Sequence, residues 1–190
     1  MKAAYREIYG GAEVLEWREI PTPEPSANEV RVKVVYTSVN RADSEVVMGN
    51  YWLFRLFTGL FRPKYPVPGA DVCGIIDKIG AGVTQFQVGD RVVGLNDNSH
   101  PTQVEYSVWP EKSSLRKIPS EVSFKDIIAC AEGGYYTLNF INKVNMKTGD
   151  RVMVNGGTGA IGSSAIQILK QMGCTVVATR GPSTSSSFGA

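Results

Sequence analysis

Residues 151–162, with the sequence RVMVNGGTGAIG, place a glycine-rich segment directly after a short apolar strand. The residues that follow predict a helix, because their apolar side chains recur at helical spacing: Ile161, Ala165, Ile168, Leu169 and Met172. A second apolar run, residues 175–178, predicts another strand. Together the strand, glycine loop, helix and strand predict one βαβ unit of a parallel sheet.

The glycine segment fits the pattern Gly-x-Gly-x-x-Gly at residues 157–162. Glycines permit a tight turn and let the backbone approach an anion, and the N–H groups at the start of a helix favour negative charge. Between a strand and a helix, the pattern is typical of dinucleotide-binding proteins, whereas a turn without function is the disfavoured alternative. We expect five residues to bind the pyrophosphate: Gly157, Thr158, Gly159, Ala160 and Ile161.

The end of the second predicted strand bears on which dinucleotide binds. Sites for NAD carry an acidic residue there that binds the ribose 2′-hydroxyl. This strand ends in Ala178-Thr179-Arg180, with no acid. Arg180 can pair with a 2′-phosphate and Thr179 can donate a hydrogen bond to it, so the charge pattern favours NADPH. The alternative is that Arg180 only begins a disordered tail.

The first 122 residues predict a β-rich domain. Residues 29–34 and 103–108 alternate polar and apolar side chains, as strands with one wet face do. Residues 71–76 and 90–95 are strand-like runs that each follow a glycine-containing turn. The fold class expected is therefore α/β with a large β-rich part.

Helical patterns begin after this region, with an N-cap signal at Ser123 and a second helical stretch over residues 135–144. The predicted organisation is a β-rich domain over 1–122, a partial dinucleotide-binding domain over 123–180 and a low-complexity, disordered tail over 181–190. Because the second sheet stops after two strands, we expect this chain to be a fragment of a longer protein.

Composition excludes several classes of protein. The net charge of +2 gives no electrostatic reason to expect nucleic acid or an anionic membrane as a partner. No apolar run approaches a membrane span, and the amino terminus does not open a signal peptide. Three scattered cysteines and a single histidine, His100, argue against a disulfide framework and fit a cytoplasmic location.

The chain as a whole resembles the medium-chain dehydrogenase/reductase superfamily, and within it the zinc-free quinone oxidoreductases. The resemblance lies in residues 38–43 (SVNRAD), 67–74 (VPGADVCG), 80–83 with 89–92, and above all residues 149–167. It implies a GroES-like catalytic domain followed by the first βαβ half of a Rossmann domain, and a homodimer for the full-length protein.

The same resemblance bears on metal binding. Zinc-dependent relatives place a cysteine where Asn40 stands and a His-Glu pair where Ala70-Asp71 stands, and some carry a four-cysteine structural site. A catalytic zinc normally takes three protein ligands. This chain has neither set, so we expect no metal.

Without metal, the implied reaction is NADPH-dependent hydride transfer to a quinone or an enone, a small planar conjugated carbonyl. By resemblance, Asn40 lies near the nicotinamide ribose or the substrate, and Thr137 faces the nicotinamide. The alternative for Asn40 is an ordinary turn residue. Relatives often place a tyrosine where Glu45 stands, so no proton donor carries over.

Residues 51–61, YWLFRLFTGLF, are the densest aromatic stretch. In one interpretation, an apolar face of Leu53, Phe57, Leu60 and Phe61 packs on the β domain. In the second, the segment covers the substrate cleft and Tyr51, our second candidate catalytic residue after Asn40, or Trp52 stacks on a planar quinone. A membrane-surface helix is disfavoured, because Arg55 alone makes a thin basic face.

Two other functions stay open. The incomplete second domain is compatible with a non-catalytic binding or interaction protein that keeps the fold without turnover. An activity like that of alcohol dehydrogenases is the second alternative. The two-stranded parallel sheet predicts open edges and poor catalysis by this chain alone.

Overall fold

The structure is a computed structural model that describes residues 1–95 and 101–181, with the side chain of Phe54 left out. It divides into two compact units, Met1–Ala129 and a second that begins at Cys130, and each is described by itself. The division falls inside a helix, and the domain limits of 1–122 and 123–180 stay a prediction. His100 and all but the first residue of the expected tail lie outside the described residues.

Strands and helices are numbered along the chain. Within the described residues they are β1 (Lys2–Tyr5), β2 (Glu16–Glu19), β3 (Glu29–Tyr36), α1 (Arg41–Met48), α2 (Trp52–Thr58), β4 (Asp71–Ile79), β5 (Arg91–Leu95), β6 (Tyr106–Pro110), β7 (Arg116–Lys117), α3 (Phe124–Ile141), β8 (Arg151–Val154), α4 (Ala160–Gln171) and β9 (Thr175–Ala178).

The first unit is built on an antiparallel sheet with the strand order β6-β3-β4-β5-β7, beside a separate pair formed by β1 and β2. Alternation in β3 buries Val30 and Val32, as a strand with one wet face requires. The main core cluster consists of Val30, Val32, Val72, Ile76, Phe86, Val92, Trp109 and Leu115. The predicted β-rich part of the fold is confirmed.

One predicted strand is displaced. The sequence predicts a strand over residues 103–108, whereas β6 begins at Tyr106 and ends at Pro110. The residues just before β6 pair with β1 instead: Ala4 N donates to Gln103 O at 2.9 Å and Glu105 N to Lys2 O at 3.1 Å. The sequence alternates through residues 103–108, whereas the buried positions change phase, from Val104 to Ser107 and Trp109, so the pattern does not reveal where the pairing partner changes.

The amino-terminal segment fixes the ends of α1 and α2. Arg6 is 1% exposed and donates to the carbonyl oxygens of Val46 and Val47 at 3.0 and 2.7 Å, and burial lowers its pKa. The hydroxyl of Tyr9 contacts the carbonyl oxygen of Gly59, just after α2, at 2.7 Å. Carbonyls at a helix end lack intrahelical partners, so these two side chains satisfy them.

In the second unit, the strand, loop, helix and strand predicted from the sequence are present. β8 and β9 pair in parallel with Arg151 opposite Thr175 and Val154 opposite Ala178, and α4 connects them. This part of the fold is confirmed.

The helix before this unit differs from the prediction, because α3 is one continuous helix where two were expected. Gly133 lies within it, and a Cβ there would come within 2.5 Å of Ser164 Oγ and 2.7 Å of Ala160 O. Gly133 therefore serves the close approach of α3 to α4 and does not end the helix. No helix within the described residues is long and apolar enough to cross a membrane.

Candidate functional site

The glycine loop between β8 and α4 folds back on itself. Gly156 has a φ of +78°, and Gly159 N donates to Gly156 O at 3.1 Å. A Cβ at Gly162 would lie 2.2 Å from Gly156 O, so only glycine fits there. The loop is tied to the end of β9 by Gly157 N, which donates to Thr179 O at 2.8 Å.

Gly159 differs from its neighbours, because nothing in the described protein requires a glycine there. Its φ is −79°, and the nearest atom to an added Cβ is Gly156 O at 3.6 Å, an ordinary contact. Gly159 is also the N-cap of α4 and supplies no side-chain cap. The first N–H groups of α4 have no intrahelical acceptor, so a cradle with space and free donors lies at the positive end of the helix.

Thr179 supports this loop from the end of β9. Its hydroxyl donates to Asn155 Oδ1 at 2.5 Å and accepts from Gly156 N at 3.3 Å. The single hydroxyl proton is thus already used, which differs from the expectation that Thr179 donates to a 2′-phosphate. The sequence did not point to Asn155, which becomes relevant only once β9 is placed beside the loop.

Arg180 follows Thr179 and is exposed. It forms no ion pair with any residue among those the structure describes. Its guanidinium is therefore available to an anion beside the glycine loop.

Thr137 lies on α3 and is 1% exposed. Its hydroxyl donates to Ile161 O at 3.0 Å, in the first turn of α4. The expectation was that Thr137 faces a nicotinamide; here its hydroxyl is directed at the backbone of the predicted pyrophosphate loop. The residue therefore positions the start of α4.

Asn40 lies in the first unit as the N-cap of α1 and forms a capping box with Asp43. Asn40 Oδ1 accepts from Asp43 N, and Asp43 Oδ2 accepts from Asn40 N, both at 3.0 Å. Since the oxygen is committed, the amide nitrogen Nδ2 points elsewhere, and it is buried without a hydrogen-bond partner among the described residues. A buried donor left unpaired is destabilising, so this atom is suited to a ligand acceptor.

Asp43 is 5% exposed, and its burial raises the pKa of the carboxyl above the ordinary aspartate value, against the effect of the hydrogen bond from Asn40 N. Its role in the structure is to hold the Asn40 side chain in one orientation. The spacing Asn-x-x-Asp is the signal in the sequence that indicates this cap.

Asp71 stands where zinc-dependent relatives carry a metal ligand. Its carboxylate is fully buried and accepts from the backbone N of Ser38 at 2.7 Å and from the Ser38 hydroxyl. Thr37 Oγ1 donates to the Asp71 carbonyl oxygen at 2.8 Å and contacts Thr102 Oγ1 at 3.1 Å. Asp71 thus fixes the loop that leads to Asn40.

Within residues 1–95 and 101–181, no group of three His, Cys, Asp or Glu side chains could hold a metal ion. Asn40 has its oxygen committed to a helix cap, and Asp71 has its carboxylate committed to Ser38. These residues do not fit a catalytic zinc. Metal independence of the protein stays a prediction.

A cavity of about 280 Å³ lies beside α1 and α2. Tyr51, which is 59% exposed, contributes to its wall. The wall as a whole is formed by Ala42, Glu45, Val46, Gly49, Tyr51 and Thr58. Ala42, Glu45 and Val46 come from α1 and share one face of that helix, whose N-cap is Asn40.

The interpretation that the apolar residues of segment 51–61 pack on the β domain is wrong. Phe57 and Phe61 are 74% and 86% exposed, and Leu53 and Leu60 are 55% and 49% exposed. The segment is held instead by its polar residues, since Arg55 Nε donates to Gly49 O at 2.8 Å.

The structure therefore gathers one group of predicted residues, those of the glycine loop with Thr179 and Arg180, in the second unit. Asn40 and Tyr51 belong to the first unit. The two groups of residues are therefore described separately.

Comparison with known proteins agrees with this arrangement. Residues 26–119 match the alcohol dehydrogenase GroES-like domain family. The chain is 31% identical over 189 residues to the chloroplast envelope quinone oxidoreductase homolog of Arabidopsis thaliana, covering 93% of this chain and 54% of that protein.

Two solved structures are similar over nearly the whole chain. The quinone oxidoreductase from Coxiella burnetii has a TM-score of 0.82 at 29% identity, covering 96% of this chain and 57% of that one. A mycobacterial protein in complex with NADPH has a TM-score of 0.77 at 28% identity, covering 94% and 52%. The chain spans about half the length of the curated relatives it matches.

A GroES-like β domain followed along the chain by a βαβ unit with a glycine-rich loop is the arrangement that this chain shares with these relatives. The chain belongs to the medium-chain dehydrogenase/reductase superfamily, and within it it is similar to the quinone oxidoreductases.

Proposed function

We propose that the protein is an NADPH-dependent reductase that transfers hydride to a quinone or another small conjugated carbonyl, such as an enone, without a metal. Because the chain spans about half of its curated relatives, the proposal concerns a protein of their length, acting in the cytoplasm as a homodimer. The observation that carries it is the cradle at the start of α4, where a Cβ on Gly159 would meet only open space and one ordinary contact.

The residues present fit a dinucleotide. Within the segment from Gly157 to Ile161, the N–H groups of Gly157 and Gly159 already donate to Thr179 O and Gly156 O. The pyrophosphate would therefore be held by the N–H groups of Thr158, Ala160 and Ile161, and the dipole of α4 favours its charge. Arg180 would pair with a 2′-phosphate, which is the reason to prefer NADPH over NADH. The bound nicotinamide supplies the hydride, and the protein supplies orientation. The mycobacterial structure in complex with NADPH supports this cofactor.

The first unit would contribute to substrate binding. Asn40 Nδ2 is a buried donor directed away from its own cap, so it would donate to the substrate carbonyl or to a ribose hydroxyl. Tyr51 would stack on a planar ring at the cavity beside α1 and α2. Asp43 would keep the Asn40 amide in place, which preorganises the donor.

The test is a titration of the longest available form with NADPH and NADH, followed by nicotinamide fluorescence, and an NADPH-oxidation assay with a simple quinone. We expect tighter binding of NADPH and turnover that a chelator leaves unchanged. Equal affinities would contradict the cofactor assignment. Stoichiometric, tightly held zinc, or loss of activity with chelator, would contradict the metal-free mechanism.

A second candidate, a non-catalytic binding protein, is favoured by one observation. On the two-stranded sheet, Met153 and Val177 are 71% and 59% exposed, so the second unit of this chain leaves apolar surface uncovered. NADPH binding without any oxidation, in the longest form and across several quinones and enones, would favour this candidate over the reductase.

A further inference from the structure

α2 directs its apolar side chains to solvent. At about 100° per residue, the side chains at positions 52, 53, 56 and 57 fall within an arc of about 140° on one side of the helix. Two more apolar residues follow in the next turn. The exposed fractions are 72% for Trp52, 55% for Leu53, 57% for Leu56, 74% for Phe57, 49% for Leu60 and 86% for Phe61. These six residues are called the aromatic face below.

The opposite side of α2 is fastened to the domain. Arg55 Nε donates to Gly49 O at 2.8 Å, and its guanidinium lies 4.5 Å from the centre of the Tyr9 ring. The Tyr9 hydroxyl contacts the carbonyl oxygens of Thr58 and Gly59 at 3.0 and 2.7 Å. Rotating α2 to bury the aromatic face against the rest of the first unit would break all of these contacts, so the described residues hold this face exposed.

The charges within the chain segment that carries the aromatic face have one sign. Residues 46–70 contain no Asp or Glu, and their three cations are Arg55, Arg62 and Lys64. Arg62 and Lys64 are exposed directly after the aromatic face. Glu7 is already ion-paired with Arg18 at 2.7 Å. The hydrogen bond from Arg18 is the main cause that lowers the pKa of Glu7, and Arg62 is the smallest.

We infer that the aromatic face is a docking surface for an anionic lipid bilayer, with Trp52, Phe57 and Phe61 entering the interface and Arg62 and Lys64 contacting lipid phosphates. Aromatic rings favour the boundary between headgroups and acyl chains, and nearby cations add attraction to anionic lipid. This reverses the expectation of no membrane partner, which counted Arg55 as the only cation. The segment would lie on the bilayer, not span it.

Two other occupants fit the observations less well. In a symmetric dimer the same patch meets itself, which would bring Arg62 and Lys64 of both copies together with no acid in residues 46–70 to offset them. A bound substrate would use the cavity beside α1 and α2, but none of the six residues of the aromatic face lines that cavity.

The test uses the 190-residue chain with vesicles of phosphatidylcholine, with or without phosphatidylserine. Trp109 is 0% exposed, so in a Trp17→Phe background the exposed tryptophan is Trp52. We expect sedimentation with the anionic vesicles only, a blue shift of Trp52 emission, and quenching of it by brominated acyl chains. No binding to the anionic vesicles would overturn the inference, as would equal binding to both.

Paired variants separate the charge from the apolar contribution. Arg62→Gln with Lys64→Gln should weaken binding to anionic vesicles about 25-fold, at about fivefold per cation, whereas Lys33→Gln with Lys125→Gln, also exposed, should change it far less. An equal loss in both double variants would reduce the effect to net charge and overturn the inference.

Phe57→Ser with Phe61→Ser should lower binding by at least about tenfold, while Val88→Ser, at a residue 58% exposed elsewhere, should not. Melting curves establish that each variant is folded. If the Phe variants abolish a dimer seen by light scattering, or raise the KM for a quinone, while vesicle binding stays unchanged, the face serves another occupant and the inference is wrong.

Discussion

Gly159→Ala tests the cofactor loop most directly, because the structure separates what the protein needs from what a ligand needs at this position. An added Cβ lies no closer than 3.6 Å to Gly156 O, and the φ of −79° suits any residue. Replacing glycine with alanine stabilises the folded state by about 0.4–1 kcal/mol, because the unfolded chain becomes less flexible. This stabilisation is offset because alanine is a poor N-cap residue. We therefore expect a change in the free energy of unfolding within about 1 kcal/mol.

NADPH binding should respond very differently. The added methyl group occupies the space through which a pyrophosphate approaches the start of α4, so affinity should fall at least tenfold, about 1.4 kcal/mol. Gly159→Val should reduce it further without backbone strain, since φ is negative. The measurements are a thermal or urea melt and a fluorescence titration with NADPH on the same preparation.

Gly162→Ala, in the first turn of α4, is the matched control for the same glycine-rich segment. A Cβ there would lie 2.2 Å from Gly156 O and 2.9 Å from the Cα of Gly157, both backbone atoms, so the loop must shift. We expect a loss of stability of about 1–3 kcal/mol, as for other overpacked sites. If folded Gly159→Ala and Gly159→Val bind NADPH as tightly as the parent, the loop does not hold the pyrophosphate and the reasoning fails.

Three further predictions follow from single side chains. Arg180→Ala should lower NADPH affinity at least about tenfold and leave NADH affinity unchanged; an equal loss for both would remove the 2′-phosphate assignment. Thr137→Val should destabilise the protein by about 1 kcal/mol by removing the hydrogen bond from the buried hydroxyl to Ile161 O, and a fall in kcat at unchanged stability would instead restore direct contact with nicotinamide. Burial raises the pKa of Cys73 to about 11, so at pH 8 a thiol reagent should modify Cys73 only after denaturation. The exposed Cys130 should react rapidly. Fast modification of Cys73 in the folded protein would contradict its burial.

The βαβ unit could be predicted from the sequence because its signals are local and agree with one another. β8 and β9 have the predicted limits, since each is a short apolar run bounded by turn residues. The limits of β6 could not be predicted, because residues 103–105 pair with β1 while β6 itself pairs with β3. The alternation of polar and apolar residues also misplaces the buried face of β6, where Ser107 and Trp109 are buried and Tyr106 and Val108 are only partly buried.

Two other differences have the same origin in long-range packing. The sequence predicts a helix after Ser123 and a second over residues 135–144, yet α3 is continuous through Gly133, which serves the approach of α4, more than twenty positions further along. The sequence shows that α2 carries an apolar stripe, but it does not show whether that stripe faces the domain or the solvent. Tyr9 and Gly49, which fasten the polar side of α2, lie outside the helix, so no pattern within residues 51–61 could show that the stripe faces solvent.

The candidate site shows that the type of a residue does not reveal whether its hydrogen-bonding groups are free to bind a ligand. The resemblance to the family selects Asn40 and Thr137, and the end of the second predicted strand selects Thr179; each lies at a structurally important point. Thr137 and Thr179 have their hydroxyl protons committed to Ile161 O and Asn155 Oδ1, so they build the loop that a ligand would meet. Asn40 has its oxygen committed to its helix cap and its amide nitrogen buried and unpaired. Among the three, Asn40 is the one whose remaining hydrogen-bonding capacity is directed at something other than the protein, and it is therefore the side chain from which substrate recognition should be tested first.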